Sequence, residues 1–176
     1  KYLEPIYDIQ LLIKAFAIVH STESVKPLLH IYGGGTLLEE LKGLCIQLKI
    51  LDDVYFFGTI PNSQIPSVLN SFDVFVNCSI TESFGVAIVE AMSCGLPVVA
   101  TDTPGFREVV DDKITGIILK DRKPETMAME IINLLHDKKK CEEMGKNGYQ
   151  KVLNEYDWEK NVSTMENLFK SLICKV

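Results

Sequence analysis

The stretch TESFGVAIVEAMSCGLPVVATD, residues 81–102, combines a helical pattern with the start of a strand. Gly85 begins and Gly95 ends a segment rich in valine, alanine, isoleucine and methionine, and Pro97 then introduces the apolar run VVA. Such a helix should be buried over most of its surface, yet it carries Glu90 at its middle. Because an unpartnered buried carboxylate is costly, Glu90 predicts a binding partner on this helix.

Strand-like and helical segments alternate through the first two thirds of the chain. Strands are predicted at residues 27–32, 54–57, 73–77, 97–101 and 114–119, and helices at 8–20, 36–49, 61–71 and 85–95. The strands are nearly continuous in apolar residues, as in a parallel sheet covered on both faces. We therefore predict an α/β fold with a doubly wound parallel sheet.

The last third of the chain predicts three successive helices, over residues 124–137, 138–154 and 157–174. Trp158 is expected to be a packing residue of the last helix. The other end of the chain begins directly with a helical pattern, without a complete strand before it. We expect the first strand of the sheet, and whatever precedes it, to lie outside this sequence.

Charge and cysteine content narrow the function classes. The net charge is −6, and no basic patch predicts a nucleic acid partner. Five cysteines are scattered without a C-x-x-C pair, which favours a reduced cytoplasmic setting and argues against zinc. A D-x-D motif is also missing from the sequence, so we predict no metal and no cofactor. The N-terminus does not have the pattern of a signal peptide, and no apolar run has the length of a membrane span.

Two acids frame the start of the central helix. Glu82 precedes the helix, Glu90 lies about one and a half turns into it, and the amide groups of residues 83–86 are the unpaired donors of a helix N-terminus. These amides could hold an anion while the carboxylates accept hydrogen bonds from hydroxyl groups on either side, an order of groups found in nucleotide sugars. Alternatively, Glu82 is a first-turn acid that favours the helix dipole, and Glu90 faces solvent on a narrow polar stripe. Taken singly, Glu82 fits that alternative better; Glu90 does not, because its neighbours leave little polar surface.

The segment TESFGVAIVEAMSCGLPVVATDTPGFREVVDDKITGIIL, residues 81–119, resembles the nucleotide-sugar-binding domain of retaining GT-B glycosyltransferases, the group 1 or family 4 class. The resemblance covers essentially the whole chain, including LEPIYDIQLLIKAF, the glycines after HIY, YFFGTIP and DWEK. It implies that residues 1–176 are the C-terminal, donor-binding domain, a Rossmann-like half of the GT-B fold. The N-terminal acceptor domain would be absent from this chain.

The resemblance also implies roles for individual residues. Glu82 corresponds to the catalytic acid that contacts the hydroxyls of the donor sugar, and Glu90 to the acid that binds the ribose hydroxyls. The remaining donor-binding residues are those of the helix start, the glycine loop and the loop against the base: Ser83, Phe84, Gly85 and Val86, then Gly33 and Gly34, then Gly58, Thr59 and Ile60.

The sequence departs from the family pattern at the positions of the cations that neutralise the diphosphate. The family's arginine position is occupied by Lys1, which keeps the charge without the bidentate geometry of arginine. Its lysine position is occupied by Tyr7, which keeps only a hydroxyl donor. Arg107, at the PGFRE turn, is a candidate replacement; a surface pair with a nearby acid explains it equally well.

By this resemblance, the chain is part of an enzyme that transfers a sugar, with retention and without a metal, from a nucleotide diphosphate sugar to an acceptor hydroxyl. The acceptor would be a saccharide or a lipid-linked molecule bound through the missing domain. That domain would also decide whether a cytoplasmic enzyme attaches to the membrane surface. Two alternatives stay open: a non-catalytic binding or regulatory module of the same fold, favoured by Tyr7, and a GT-B sugar-nucleotide epimerase.

Overall fold

The computed structural model describes residues 2–173. The strands are β1 (Leu29–Tyr32), β2 (Val54–Gly58), β3 (Phe75–Asn77), β4 (Val98–Thr101) and β5 (Ile117–Leu119). The helices are α1 (Ile9–Thr22), α2 (Leu38–Gln47), α3 (Ile65–Leu69), α4 (Val86–Ser93), α5 (Pro104–Val109), α6 (Pro124–His136), α7 (Lys138–Glu155) and α8 (Trp158–Ile173). Three short 3₁₀ turns, Pro5–Tyr7, Leu51–Asp53 and Asn62–Gln64, complete the regular structure of this part of the chain.

Every β-ladder is parallel, which confirms the predicted α/β class. β1 pairs with β2, and β3, β4 and β5 form a second sheet in that order, with Val76 opposite Val99 and Val99 opposite Ile117. Among residues 2–173 no ladder joins β1 to β3, and an apolar cavity lies between them. The expected sheet is therefore present in two parallel parts.

Helices cover both faces of the three-stranded sheet. Val99 of β4 packs against α1 and α6, whereas its neighbours Val98 and Ala100 pack against α3, α4 and α5. All three side chains are fully buried. Since successive residues of a strand point to opposite faces, this alternation defines the double winding.

The two-stranded sheet is covered differently. One face packs Ile31 and Val54 against α1 and α2. The other face carries aromatic rings, among which Tyr32 stacks on Phe57 at a centroid distance of 4.8 Å. Phe57 is 47% exposed, so this face is only partly covered.

Helix α7 packs against the turn that ends α4. The backbone of Gly145 lies so close to Gly95 that a Cβ at Gly145 would come within 1.9 Å of the Gly95 carbonyl oxygen. Gly95 itself has a φ of 71° and ends α4 as predicted, through the hydrogen bond from its amide to Met92 O (2.9 Å). The two glycines therefore bring a helix and a turn into direct backbone contact.

Three local expectations were wrong. The PGFRE segment is helix α5. Thr103 is its N-cap, and the Thr103 side chain accepts a hydrogen bond from Phe106 N (3.2 Å). The last strand starts only at Ile117, because residues 111–115 form a turn in which Lys113 has a φ of 67° at its outer corner. Trp158 is 77% exposed, and every described side chain of α8 is exposed, so Trp158 is not a packing residue.

Within residues 2–173, no helix combines the length and the apolar character needed to span a bilayer.

Candidate donor-binding site

Some of the predicted site residues line the cavity between the two sheets. It has a volume of about 370 Å³. Its polar end is formed by loops after β1 and β2 and by the inner side of α4. The predicted site residues that line it are Gly33, Gly58, Thr59, Ile60 and Glu90.

The loops after β1 and β2 are joined to each other by their backbones. Gly33, with a φ of 134°, donates its amide to the carbonyl oxygen of Gly58, with a φ of 69°, at 2.7 Å. Residues with a Cβ rarely adopt these φ values, so glycine is favoured at both positions. This contact closes the β1–β2 end of the cavity.

The glycine loop is also fixed from the side that precedes α1. Thr36 donates from its amide (2.9 Å) and its hydroxyl (2.8 Å) to the Glu4 carboxylate, and these bonds lower the pKa of Glu4. A Cβ at Gly35 would lie 2.5 Å from Leu3 O, so that glycine is needed for close backbone packing. Gly34 has open space around it and accepts a hydrogen bond from Leu3 N (2.9 Å).

The start of α4 has the N-terminal glycine that the sequence predicts. Gly85 is the N-cap with a φ of 104°, and no side chain caps the helix. Ser83 is exposed, and Val86 is 62% exposed. The amide of Ile88 donates to Gly85 O (2.8 Å), whereas the first two amides of a helix, here those of Val86 and Ala87, have no acceptor within it. The arrangement suits an anion.

The loop that carries Glu82 rests on α5. Gly105 donates its amide to Glu82 O (3.1 Å), and a Cβ at Gly105 would lie 2.5 Å from Phe84 N. At Gly85 a Cβ would lie 2.9 Å from the ring of Phe106. Gly85 is therefore required by its own φ and by this ring. The Phe84 ring packs edge-on against Tyr156, at a centroid distance of 5.5 Å.

Glu90 lies on the half-buried side of α4, at the cavity. Removal from water raises the pKa of its carboxyl group. Its helix neighbours Ala91 and Met92 are fully buried. Glu90 thus lines the cavity and is only partly shielded from solvent.

Of the two predicted cations, Arg107 is described by the structure, and it pairs with an acid on the surface. Arg107 lies on α5, where its Nη2 donates to the Asp102 carboxylate at 2.7 Å and lowers the pKa of Asp102. The surface ion pair that was the alternative interpretation of Arg107 is therefore formed. Lys1 lies outside the described residues. Tyr7 ends a 3₁₀ turn, directly before the N-cap residue Asp8 of α1.

Sequence reasoning missed the residues that support the site. Glu4 and Thr36 hold the glycine loop, and Gly105 supports the loop of Glu82. Glu4 and Gly105 lie within the segments that carry the resemblance, but none of the three residues was assigned a role from the sequence. A signal for Gly105 was available, since glycine directly after the proline that begins a helix is unusual. The Glu4–Thr36 pair spans 32 positions and carries no local signal. No three His, Cys, Asp or Glu side chains converge as a metal site anywhere in 2–173.

Comparison with known proteins assigns the chain to a family. Residues 2–151 match the family described as Glycosyl transferases group 1. An uncharacterized glycosyltransferase of Methanocaldococcus jannaschii is 29% identical over 162 residues, covering 92% of this chain and 41% of the relative. The chain thus spans about two fifths of that relative's length.

Two solved structures share the fold. Sucrose-phosphate synthase from Thermosynechococcus elongatus superposes with a TM-score of 0.88 at 25% identity, covering 99% of this chain and 45% of that protein. Anabaena HepE, in complex with UDP-glucose, superposes with a TM-score of 0.85 at 24% identity, covering 100% of this chain and 47% of that protein. With the family match over residues 2–151, this chain belongs to the group 1 glycosyltransferases of the GT-B fold.

Proposed function

We propose that this chain is the donor-binding domain of a retaining, metal-independent glycosyltransferase that uses a nucleotide diphosphate sugar. The observation that carries the proposal is the position of Glu90. Its carboxyl group lies at a cavity lined by Gly33 and Gly58, on the helix whose uncapped N-terminus follows Glu82. A ribose bound there would supply the hydroxyl donors that this half-buried carboxylate needs.

The two ends of the donor would then lie on either side of the α4 N-terminus. The base and ribose occupy the cavity, against Thr59 and Ile60, and the diphosphate meets the amides that begin α4. The sugar lies toward Glu82. As the glycosidic bond breaks, negative charge grows on the leaving diphosphate, and preorganised amides stabilise it without reorganisation. Tyr7 carries no positive charge, and Arg107 is paired with Asp102. We therefore expect these amides to be the main groups that stabilise the leaving diphosphate in this part of the chain.

Calorimetric titration of the chain with UDP-glucose, UDP, GDP and ADP tests the donor site. UDP-glucose comes first because HepE, which shares the fold, was crystallised with it. We expect one nucleotide series to bind and the Glu90→Ala variant to bind roughly tenfold to a hundredfold more weakly, as for a lost hydrogen bond to a charged group. Glu143→Ala, which removes an exposed acid of α7, is the matched control. Equal affinities for wild type and Glu90→Ala would contradict the proposal.

The acceptor domain is proposed to precede this chain. Leu3 N donates to Gly34 O (2.9 Å) after β1, and Ile80 N donates to Ile6 O (2.8 Å) after β3. The segment before α1 therefore lies at the carboxyl ends of both sheets, beside the gap between them. A parallel strand in that gap, connected to residue 2, would join β1 to β3 in one continuous sheet.

Transfer assays test this arrangement. The chain alone should bind the donor but transfer no sugar, whereas a protein extended by the upstream coding sequence should transfer with an unchanged anomeric configuration, with or without EDTA. Robust multiple-turnover transfer by the chain alone would contradict the two-domain proposal. Donor binding without transfer by the extended protein would favour the non-catalytic module, and a Tyr7→Lys variant that then gains activity would identify the missing cation as its cause.

A further inference from the structure

Arg122 connects three loops at the carboxyl edge of the sheets. It lies in the loop after β5, and its guanidinium reaches two other loops. Nη2 donates to the Asp8 carboxylate at 2.6 Å and to Cys78 O at 2.7 Å, and Nη1 donates to Ser79 O at 3.1 Å. Asp8 is the N-cap of α1, and residues 78 and 79 follow β3.

The two carbonyl groups that Arg122 binds belong to a buried backbone. Cys78 is 1% exposed and Ser79 is fully buried, so their polar groups need partners within the protein. Ser79 O also accepts from the Thr101 hydroxyl at 2.7 Å. Cys78 O accepts from Arg122 Nη2. Removing the guanidinium would leave that carbonyl buried without this donor.

The segment held by Arg122 leads directly to the donor site. Ile80 N donates to Ile6 O, and Glu82 O accepts from Gly105 N. The loop from β3 to Glu82 is therefore attached at successive residues, first by Arg122, then by the segment before α1, and last by α5. Arg122 attaches the loop through a charged side chain, whereas the other two attachments are hydrogen bonds between backbone groups.

The geometry of Asp8 explains why arginine suits this contact. Its backbone is left-handed, with a φ of 44°, and its other carboxylate oxygen accepts from Leu11 N (3.3 Å). The carboxylate is thus held in place, and the planar guanidinium with its fixed donors spans the distance from it to both carbonyls. Lysine has a single ammonium group and does not reproduce that geometry.

We propose that Arg122 is a positioning residue for the donor site: it holds the loop from β3 to Glu82 in the orientation that binds the nucleotide sugar. The inference rests on the proposed function, since it assigns a role to that same loop. It concerns the alignment of the loop and not contact with the donor.

Amide hydrogen exchange on the full chain tests the proposal independently of ligand. In Arg122→Ala we expect the amides of Ile80 and Gly105 to exchange about tenfold faster, because each donates a hydrogen bond that joins the released loop to a neighbouring segment. The amide of Leu41, bonded to Leu37 O (2.9 Å) in α2, should exchange at the wild-type rate. Arg122→Lys should fall between wild type and Arg122→Ala.

A second measurement links the loop to the donor. Titration with UDP-glucose should show about tenfold weaker binding to Arg122→Ala and unchanged binding to Lys123→Ala, which removes a neighbouring, 70% exposed cation. Unchanged exchange at Ile80 and Gly105, or an equal increase at Leu41, would overturn the positioning role, as would faster exchange with unchanged affinity. If the wild-type chain binds no nucleotide, the proposed function fails, whereas the exchange result still decides whether Arg122 holds the loop.

Discussion

Glu90 illustrates, at the scale of the residue, a conflict between stability and binding. Its carboxyl group lies at a cavity on a helix that is otherwise mainly apolar, and burial raises its pKa above the ordinary value of 4.5. The ionised form is therefore disfavoured in the folded protein. Functional residues of this kind commonly lower stability, because a site must keep polar groups ready for a ligand.

The first prediction concerns the pH dependence of this cost. A folded pKa above the unfolded value means that ionisation of Glu90 destabilises the fold as pH rises from about 4.5 through the raised pKa. Glu90→Gln should therefore raise Tm by about 1–3 °C at pH 7, and this gain should disappear below pH 4.5. Thermal unfolding followed by circular dichroism at pH 7 and pH 4 measures both. A gain of the same size at both pH values would contradict the assignment.

Gly105 carries the second prediction at this scale. A Cβ there would lie 2.5 Å from Phe84 N and Ser83 C, which are backbone atoms that can move only with the loop. Gly105→Ala should destabilise the fold by about 1–3 kcal/mol and weaken UDP-glucose binding. Chemical denaturation and titration calorimetry give the two values. Full affinity in a folded Gly105→Ala protein would show that the position of this loop does not matter for the donor.

At the scale of the element, helix α7 approaches α4 closely because of two glycines, although it also buries Met144 in the core. Gly145 and Gly148 are its buried glycines, and Gly145 allows the α7 backbone to touch the turn that ends α4. Met92 of α4 lies 3.3 Å from where a Cβ at Gly148 would be. Glycine weakens a helix, so its presence here is explained by the close approach.

The third prediction compares two helix glycines. Gly145→Ala should destabilise the fold by more than about 2 kcal/mol, because its Cβ would overlap Gly95 O. Gly43→Ala in α2 has no atom within 4 Å of its new Cβ and should stabilise the fold by about 0.5–1 kcal/mol. Urea denaturation of both variants measures the contrast. Similar effects for the two would contradict the packing of α7 on α4.

At the scale of the whole molecule, the described chain is stabilised by three clusters of buried side chains, none of which includes α8. The apolar side chains of α8 recur at the spacing of a packed helix, at Trp158, Val162, Met165, Phe169 and Leu172. All of them are exposed. The helix thus contributes no side chain to the buried clusters of the described chain.

The fourth prediction follows from that separation. A chain that ends after Asp157 should unfold within about 2 °C of the full chain and should bind UDP-glucose with the same affinity, because no buried side chain is lost. Differential scanning calorimetry and titration calorimetry provide the comparison. A decrease in Tm of 5 °C or more would mean that α8 packs on the domain.

The local pattern of the sequence determined most of the elements and the nature of the site. Apolar periodicity predicted the parallel α/β class, and the glycines around α4 predicted its ends, because helix termini depend on φ values that only a few residues adopt. The same stretch predicted an acid in need of a partner, and the structure places Glu90 at a cavity with Gly33 and Gly58.

Only the tertiary structure decided how the loops are held. Arg122 meets Asp8 across 114 positions and Ser79 across 43, Glu4 meets Thr36 across 32, and Gly105 is required because another loop passes above it. Propensity and periodicity act within a turn or a strand, so they predict elements. Contacts between distant loops depend on which strand ends lie next to each other in the sheets. The packing of the whole domain determines that order.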